Sequence, residues 1–318
     1  MRRVILGETG IETSCLGFGC ASLGSRVSAA DGARALAAAL DAGVTWIDLA
    51  PVYGGGQAEE IAAGVIRGRR DRVQIASKAG LALAGGTGGG LRRHLMPLAR
   101  KAIGLLGAGA AAKLRGAAPR ANARLPLTPA LLATSLEASL RRLGTDHLDL
   151  FALHGVTAGE VGREEILRAL EDLRAAGKVR AVAVAGDEAA AAAALAQPYG
   201  VLQLPLPPLA APGAAAGEAA GAAGGVQLLA RARAAGKGLV THSVFGSGGP
   251  GPALQAAIAA RRGTPASGAE TAQLLMARAF ALNPEGVVLV SMFSEGARAA
   301  NLAAAARPVG ADPLAAAP

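Results

Sequence analysis

LDLFALH, residues 148–154, is a seven-residue run that is apolar apart from one acid and ends in a histidine. Two earlier runs have the same form. TWID, residues 45–48, ends in Asp48, and VQIASK, residues 73–78, ends in Lys78. Near-continuous apolar runs of this length are what strands become when helices cover a parallel sheet. Reactive groups gathered at the carboxyl ends of successive strands mark the working face of a (β/α)8 TIM barrel. Tyr53 follows Asp48 by five residues, in the loop APVYGGG, residues 50–56.

Working outward from these runs, five more strands complete a set of eight. They are CLGFGCA (15–21), VRAVAVAG (179–186), VLQLPL (201–206), GLVTHSV (238–244) and GVVLVSM (286–292). Helical segments alternate with them and have recognisable ends. Ser28 can cap a helix through Leu40, and Gly43 follows its last turn. Thr128-Pro129 offers a cap and a first-turn proline, with Gly144 closing that helix. Glu164–Ala176 ends at Gly177, and Val226–Ala235 ends at Gly236. Alternation repeated eight times favours a closed barrel over an open doubly wound sheet. Ahead of it, RVILGETGIETS (3–14) reads as a β-hairpin around Gly7–Gly10 that plugs the barrel's amino-terminal end. The expectation is one barrel domain over residues 1–306 with a flexible tail at 307–318. Two segments break the rhythm. A basic, Gly/Ala-rich insert runs from about residue 81 to 127, after the third strand. The Ala/Gly/Pro stretch Leu209–Gly225 reads as a loop with a frayed helix.

Composition narrows the class. With 318 residues and 52 % apolar content, the chain can bury a large core. Aromatic residues make up only 3 %, so that core must be built from Ala, Leu and Val. Cys15 and Cys20 are the only cysteines and read as reduced thiols. Met1-Arg2-Arg3 leads into Gly7 and Glu8 before any apolar core forms, so no secretory signal and a cytoplasmic location are expected. The longest uncharged stretch is cut by five prolines and cannot span a membrane. The net charge of +9 is local. No acid lies between Asp71 and Glu137, while Arg92, Arg93, Arg100, Lys101, Lys113, Arg115, Arg120 and Arg124 fall inside that interval.

An acid, a phenol, an amine and an imidazole together suit proton delivery to a carbonyl oxygen. Such a reduction needs a hydride on carbon, supplied by a nicotinamide cofactor, and a proton on oxygen. A free phenol, with a pKa of about 10, is a weak acid. A neighbouring ammonium lowers that value, and Lys78 is the candidate neighbour. Asp48 would hold Lys78 charged, and His154 would donate a hydrogen bond to the substrate oxygen. Singly, Asp48 reads as a helix cap, Lys78 as a surface charge and His154 as a core imidazole. Their shared place at strand ends favours the catalytic reading.

Five stretches, in order, resemble the aldo-keto reductase superfamily. They are GVTWIDLAPVYGGGQAEE (43–60), IASKAG (75–80), SLEASLRRLGTDHLDLFALHG (135–155), DLRAAGKVRAVAVAG (172–186) and VLVSMFSEGARAANLAA (288–304). The resemblance implies a (β/α)8 barrel and a catalytic tetrad of Asp48, Tyr53, Lys78 and His154, with no metal. It implies NADPH, or alternatively NADH, as cofactor and a small-molecule carbonyl substrate. Cofactor contacts are implied for Gly19 and Cys20 in the first loop, Asp48, Gln203 at the carboxamide, and Ser243, Phe245 and Gly246 in HSVFGSGG at the pyrophosphate. Ser291, Arg298 and Asn301 are implied at the adenosine 2′-phosphate and adenine.

The chain departs from the family pattern in three places. Ala185-Gly186-Asp187 replaces a Ser-Asn pair, Leu206 replaces the aromatic that stacks on the nicotinamide, and Ala297 takes the usual arginine position beside Arg298. These departures motivate an alternative, a nucleotide-binding regulatory subunit with little turnover. The basic insert reads as a solvated loop, as a lid favouring anionic or carrier-bound substrates, or as a membrane-surface segment with Leu91, Leu95, Leu98 and Ala102 at helical spacing. It holds no aromatic residue for base stacking, so nucleic acid is not expected as a partner.

Overall fold

The computed structural model describes residues 1–83, 122–210, 215–246 and 251–315. Strands β1 (Arg3–Ile5) and β2 (Glu12–Ser14) pair antiparallel around a short turn at Gly7–Thr9. They are followed by β3 (Leu16–Gly19), β4 (Trp46–Asp48), β5 (Gln74–Ala79), β6 (Leu81–Ala82), β7 (Ala123–Arg124) and β8 (Leu148–His154). β9 (Val179–Ala185), β10 (Val201–Pro205), β11 (Gly238–His242) and β12 (Val287–Val290) complete the set. The strands β3-β4-β5-β8-β9-β10-β11-β12 close into a barrel, each paired parallel with its neighbours. These eight are the apolar runs read from the sequence.

The helix ends follow local chemistry. Ser28 caps Ala29–Asp41 by accepting from Asp31 N, and Thr128 caps Pro129–Leu143 by accepting from Leu131 N. Gly144 closes the latter helix in the left-handed region, at φ 65°. The barrel interior is mostly aliphatic, with Trp46 fully buried. A Cβ at Gly17 would lie 2.8 Å from Trp46 Cδ1 and 2.5 Å from Leu289 Cδ2, so a glycine there makes room for the indole.

The amino-terminal hairpin seats on the barrel end. Leu6 and Ile11 are fully buried, and Glu8 N donates to Gly236 O at 3.0 Å. A Cβ at Gly7 would meet Gly236 O and Gly238 N at 2.3 Å. Close approach of two backbones therefore requires glycine here.

One helix boundary is corrected. The helix expected over Val226–Ala235 runs over Ala216–Ala234, so much of the expected loop is helical. Its alanines favour helix, and Gly225 packs close: a Cβ there would lie 2.6 Å from Glu188 Oε1 and 3.0 Å from Pro207 Cβ. Beyond Arg307 the described residues make contacts with the body. Leu314 is buried, its carbonyl accepts from Arg261 Nη1 at 3.2 Å, and Asp312 lies 3.5 Å from Arg278 Nε. Most of the basic insert (84–121), with Leu91, Leu95, Leu98 and Ala102, lies outside the described residues, as do Ser247 and Gly248. Among the described residues no helix is long and apolar enough to cross a membrane.

Candidate active site

Strand periodicity aims the polar groups. Side chains two apart share a face, so Asp48 points inward above Trp46. Register pairs Asp48 with Ala76 and Lys78 with Ala152, which puts Lys78 and His154 on inward-facing positions of β5 and β8. Gln203, on β10, pairs with Ala185 and Val240. These residues converge at the carboxyl mouth of the barrel.

Lys78 is the hub. Its Nζ donates to Asp48 Oδ2 at 2.7 Å, to Leu49 O at 2.9 Å and to Tyr53 Oη at 3.3 Å. Asp48 Oδ1 accepts from Gln203 Nε2 at 3.0 Å. Lys78 and Asp48 are both almost fully buried. The Tyr53 ring meets His154 edge-on, with centroids 6.3 Å apart at 88°. Tyr53 sits on a loop that turns back sharply. Gly54, Gly55 and Gly56 take φ of 58°, 66° and 92°, a run of left-handed conformations that side-chain-bearing residues avoid. The turn brings the phenol to the amine although the helix Gln57–Ile66 starts only four residues after Tyr53.

Electrostatics follow from burial. Around Lys78, burial opposes the charge, but Asp48 and the Tyr53 oxygen outweigh it and raise the pKa. The ammonium is therefore retained. Tyr53 departs from expectation. Burial raises its pKa, and the opposing pull of Lys78 does not overcome that, so the phenol of the free protein stays protonated above its ordinary range. His154 is lowered to about 3, by burial first and then by Lys78 and His242, so it is a neutral imidazole.

The expected cofactor residues fall along one arc of the mouth. Gly19 pairs with Asp48 in register, and Cys20 N donates to Asp48 O at 3.1 Å. The Cys20 thiol is fully buried with a raised pKa, caused by burial first and then by the Asp48 charge. Gln203 Oε1 is buried with no hydrogen-bond partner among the described residues. Such an orphaned acceptor beside Asp48 fits a carboxamide N–H. Ser243 is the one non-glycine residue with positive φ among those described, at 62°, and Gly246 N closes the turn on Ser243 O at 3.0 Å. Phe245 packs partly buried on the core.

Ser291, Arg298 and Asn301 follow β12. Ser294 caps the helix Glu295–Ala306, Arg298 is half-buried near its first turn, and Asn301 is buried. The departures have local roles. Asp187 caps the helix Glu188–Ala194 by accepting from Ala190 N at 2.9 Å. Leu206 is buried, and its N donates to His242 O at 2.8 Å.

Sequence reasoning missed His242. It ends β11, its Nδ1 lies 2.8 Å from Ser243 Oγ, and its pKa is lowered by burial first, with Asp48 and Lys78 acting on it. The signal was present, because GLVTH ends in histidine as LDLFALH does. The stem of the basic insert is also visible. β6 and β7 form a two-stranded ribbon. A Cβ at Gly155, next to His154, would meet Leu81 Cδ2 at 2.9 Å, and one at Gly55, in the Tyr53 loop, would meet Leu83 Cδ1 at 3.4 Å. The insert thus leaves the barrel beside the loops that carry Tyr53 and His154.

Comparison with known proteins bears on the family and the fold. The model of the Aldo/keto reductase family matches residues 15–204. Aldo-keto reductase YhdN of Bacillus subtilis is 32% identical over 190 residues, covering 58% of this chain and 46% of that protein. The 6-dehydroglucose reductase of Agrobacterium fabrum is 31% identical over 189 residues, covering 58% of this chain and 53% of that one. The chain thus spans about half the length of these curated relatives. An aldo-keto reductase from Bacillus halodurans, solved in its holo form, superposes with a TM-score of 0.71 at 19% identity, over 97% of this chain and 92% of that one. One from Klebsiella pneumoniae, solved in complex with NADPH, gives 0.59 at 23% identity, over 96% and 89%. The family match over more than half of the chain, on a closed eight-stranded parallel barrel, means that this protein belongs to the aldo/keto reductase family.

Proposed function

We propose that this protein is an NADPH-dependent oxidoreductase that reduces an aldehyde or ketone to an alcohol, with Tyr53 as general acid. The observation that carries the reading is Lys78 Nζ, held 2.7 Å from Asp48 Oδ2 and 3.3 Å from Tyr53 Oη in a buried site. When bound, the nicotinamide cofactor supplies the hydride. Gln203, through its orphaned Oε1, would hold the carboxamide, and Arg298 would meet the adenosine phosphate. Tyr53 holds its proton at neutral pH and releases it to the substrate oxygen as negative charge builds there. Lys78 stabilises the phenolate left behind, and Asp48 keeps Lys78 charged and in place. Neutral His154 donates an N–H to the same oxygen and orients the carbonyl.

Tyr53→Phe tests this directly. It should lower kcat by about 10²–10⁴-fold while Trp46 fluorescence still responds to NADPH. Turnover retained in that variant would sink the assignment. Quenching by NADPH in the native protein without NADPH consumption, across a panel of aldehydes and ketones, would instead favour the regulatory alternative motivated by Leu206.

A further inference from the structure

Tyr53 follows the buried Val52 and is followed by three glycines, which have no side chains to brace it from that side. The fixing contacts come from elsewhere. Glu59, in the first turn of the helix Gln57–Ile66, is completely buried. Its Oε1 accepts from Ser77 Oγ at 2.7 Å, and Ser77 is the residue before Lys78 on β5. Its Oε2 accepts from Arg142 Nε at 2.5 Å. Arg142, from the last turn of Pro129–Leu143, also lies against the Tyr53 loop. A Cβ at Gly56 would meet Arg142 Cδ at 3.3 Å and Nε at 3.4 Å. One carboxylate therefore ties the strand of Lys78 to the helix that follows Tyr53, and its guanidinium partner braces the end of the glycine turn. None of these groups reaches the substrate side, because Ser77 points outward from the barrel while Lys78 points in.

We propose that Glu59 and Arg142 are a positioning pair that holds the Tyr53 phenol at bonding distance from Lys78. The proposal rests on the reductase reading above. The carboxylate also sits at a helix amino terminus, where negative charge is favoured. Its burial makes the geometry stiff, because the half-buried Arg142 cannot leave without stranding a buried carboxylate.

The test is the double variant Glu59→Gln/Arg142→Met, which neutralises both groups at nearly constant volume and leaves no lone buried charge. The readouts are kcat, NADPH affinity by Trp46 fluorescence, and nitration of the chain's two tyrosines mapped by mass spectrometry. Tyr199 is the internal control, being buried with its hydroxyl on Val161 O. The expected result is a kcat fall of about tenfold or more, NADPH affinity within about twofold of native, and faster nitration at Tyr53 with Tyr199 still protected. Ser77→Ala, which cuts only the strand tie, should give a smaller loss of the same kind. Unchanged kcat and unchanged Tyr53 nitration overturn the proposal. So does equal exposure of both tyrosines, which would make the pair a general fold element. Nitration needs no turnover, so a failure of the reductase reading in Tyr53→Phe leaves the geometric test standing.

Discussion

Lys78 offers one nitrogen to three oxygens, on Asp48, Leu49 and Tyr53. The arrangement satisfies a charge with almost no solvent contact, and it makes the pair interdependent. Lys78→Met should lower stability by about 3–5 kcal/mol, because it leaves Asp48 charged and unpaired in the interior. Asp48→Asn/Lys78→Met should recover much of that loss, as read from urea midpoints; no recovery would mean that Asp48 is not the partner that matters. His154 gives a pH prediction. Its folded pKa of about 3 lies below the ordinary value of about 6.5. The unfolded chain then binds the extra proton between those values. This contribution to stability is complete above about pH 6.5 and declines as pH falls toward 3. His242, lowered mainly by burial, acts with the same sign. Urea midpoints should drop from pH 7.5 to 4.5, and His154→Gln should flatten the decline. An identical slope in the variant would show that this imidazole is already charged in the native state.

Among the elements, the glycine turn after β4 decides whether Tyr53 can act. Gly54 has φ 58°, and a Cβ there would come within 2.8 Å of Leu23 O. Gly54→Ala should cost about 1–2 kcal/mol for the left-handed backbone alone, and the clash with a carbonyl should shift the turn. Activity should fall more than stability does, since the same turn sets the phenol's reach. If kcat is kept while the melting temperature drops, the turn matters only to the fold. The strands themselves were plain in the sequence, because a parallel strand buried on both faces reads as an unbroken apolar run. Helix ends were plain where a cap residue marks them, as at Ser28 and Thr128. The start of Ala216–Ala234 was not. Its glycines read as loop, and the packing of Gly225 against Pro207 and Glu188 is a contact between segments distant in sequence.

At the scale of the molecule, the hairpin and the described stretch around Leu314 both pack on the barrel. The hairpin seats on its amino-terminal end, and Leu314 is buried with Asp312 near Arg278. Arg278 also donates to Pro207 O at 2.8 Å, just past Leu206 at the mouth. Truncation after Arg307 should therefore cost about 1.5–3 kcal/mol, the scale of one buried leucine, measured by urea denaturation. An unchanged midpoint would mean that the tail adds nothing to stability.

From its residues alone this chain declared eight strands, three polar groups at strand ends and a tyrosine in the loop after one of them, because periodicity and spacing are local properties. Three matters needed the folded molecule. Tyr53 is raised rather than lowered because burial outweighs the ammonium beside it. His242 ends a run that is visible in the sequence, but its reach to Asp48 and Lys78 depends on β11 closing between β10 and β12 in the barrel. Glu59 meets Ser77 and Arg142 because a strand and two helices distant in sequence pack together. Desolvation and long-range contact depend on which surfaces are brought together, and no window of sequence contains that.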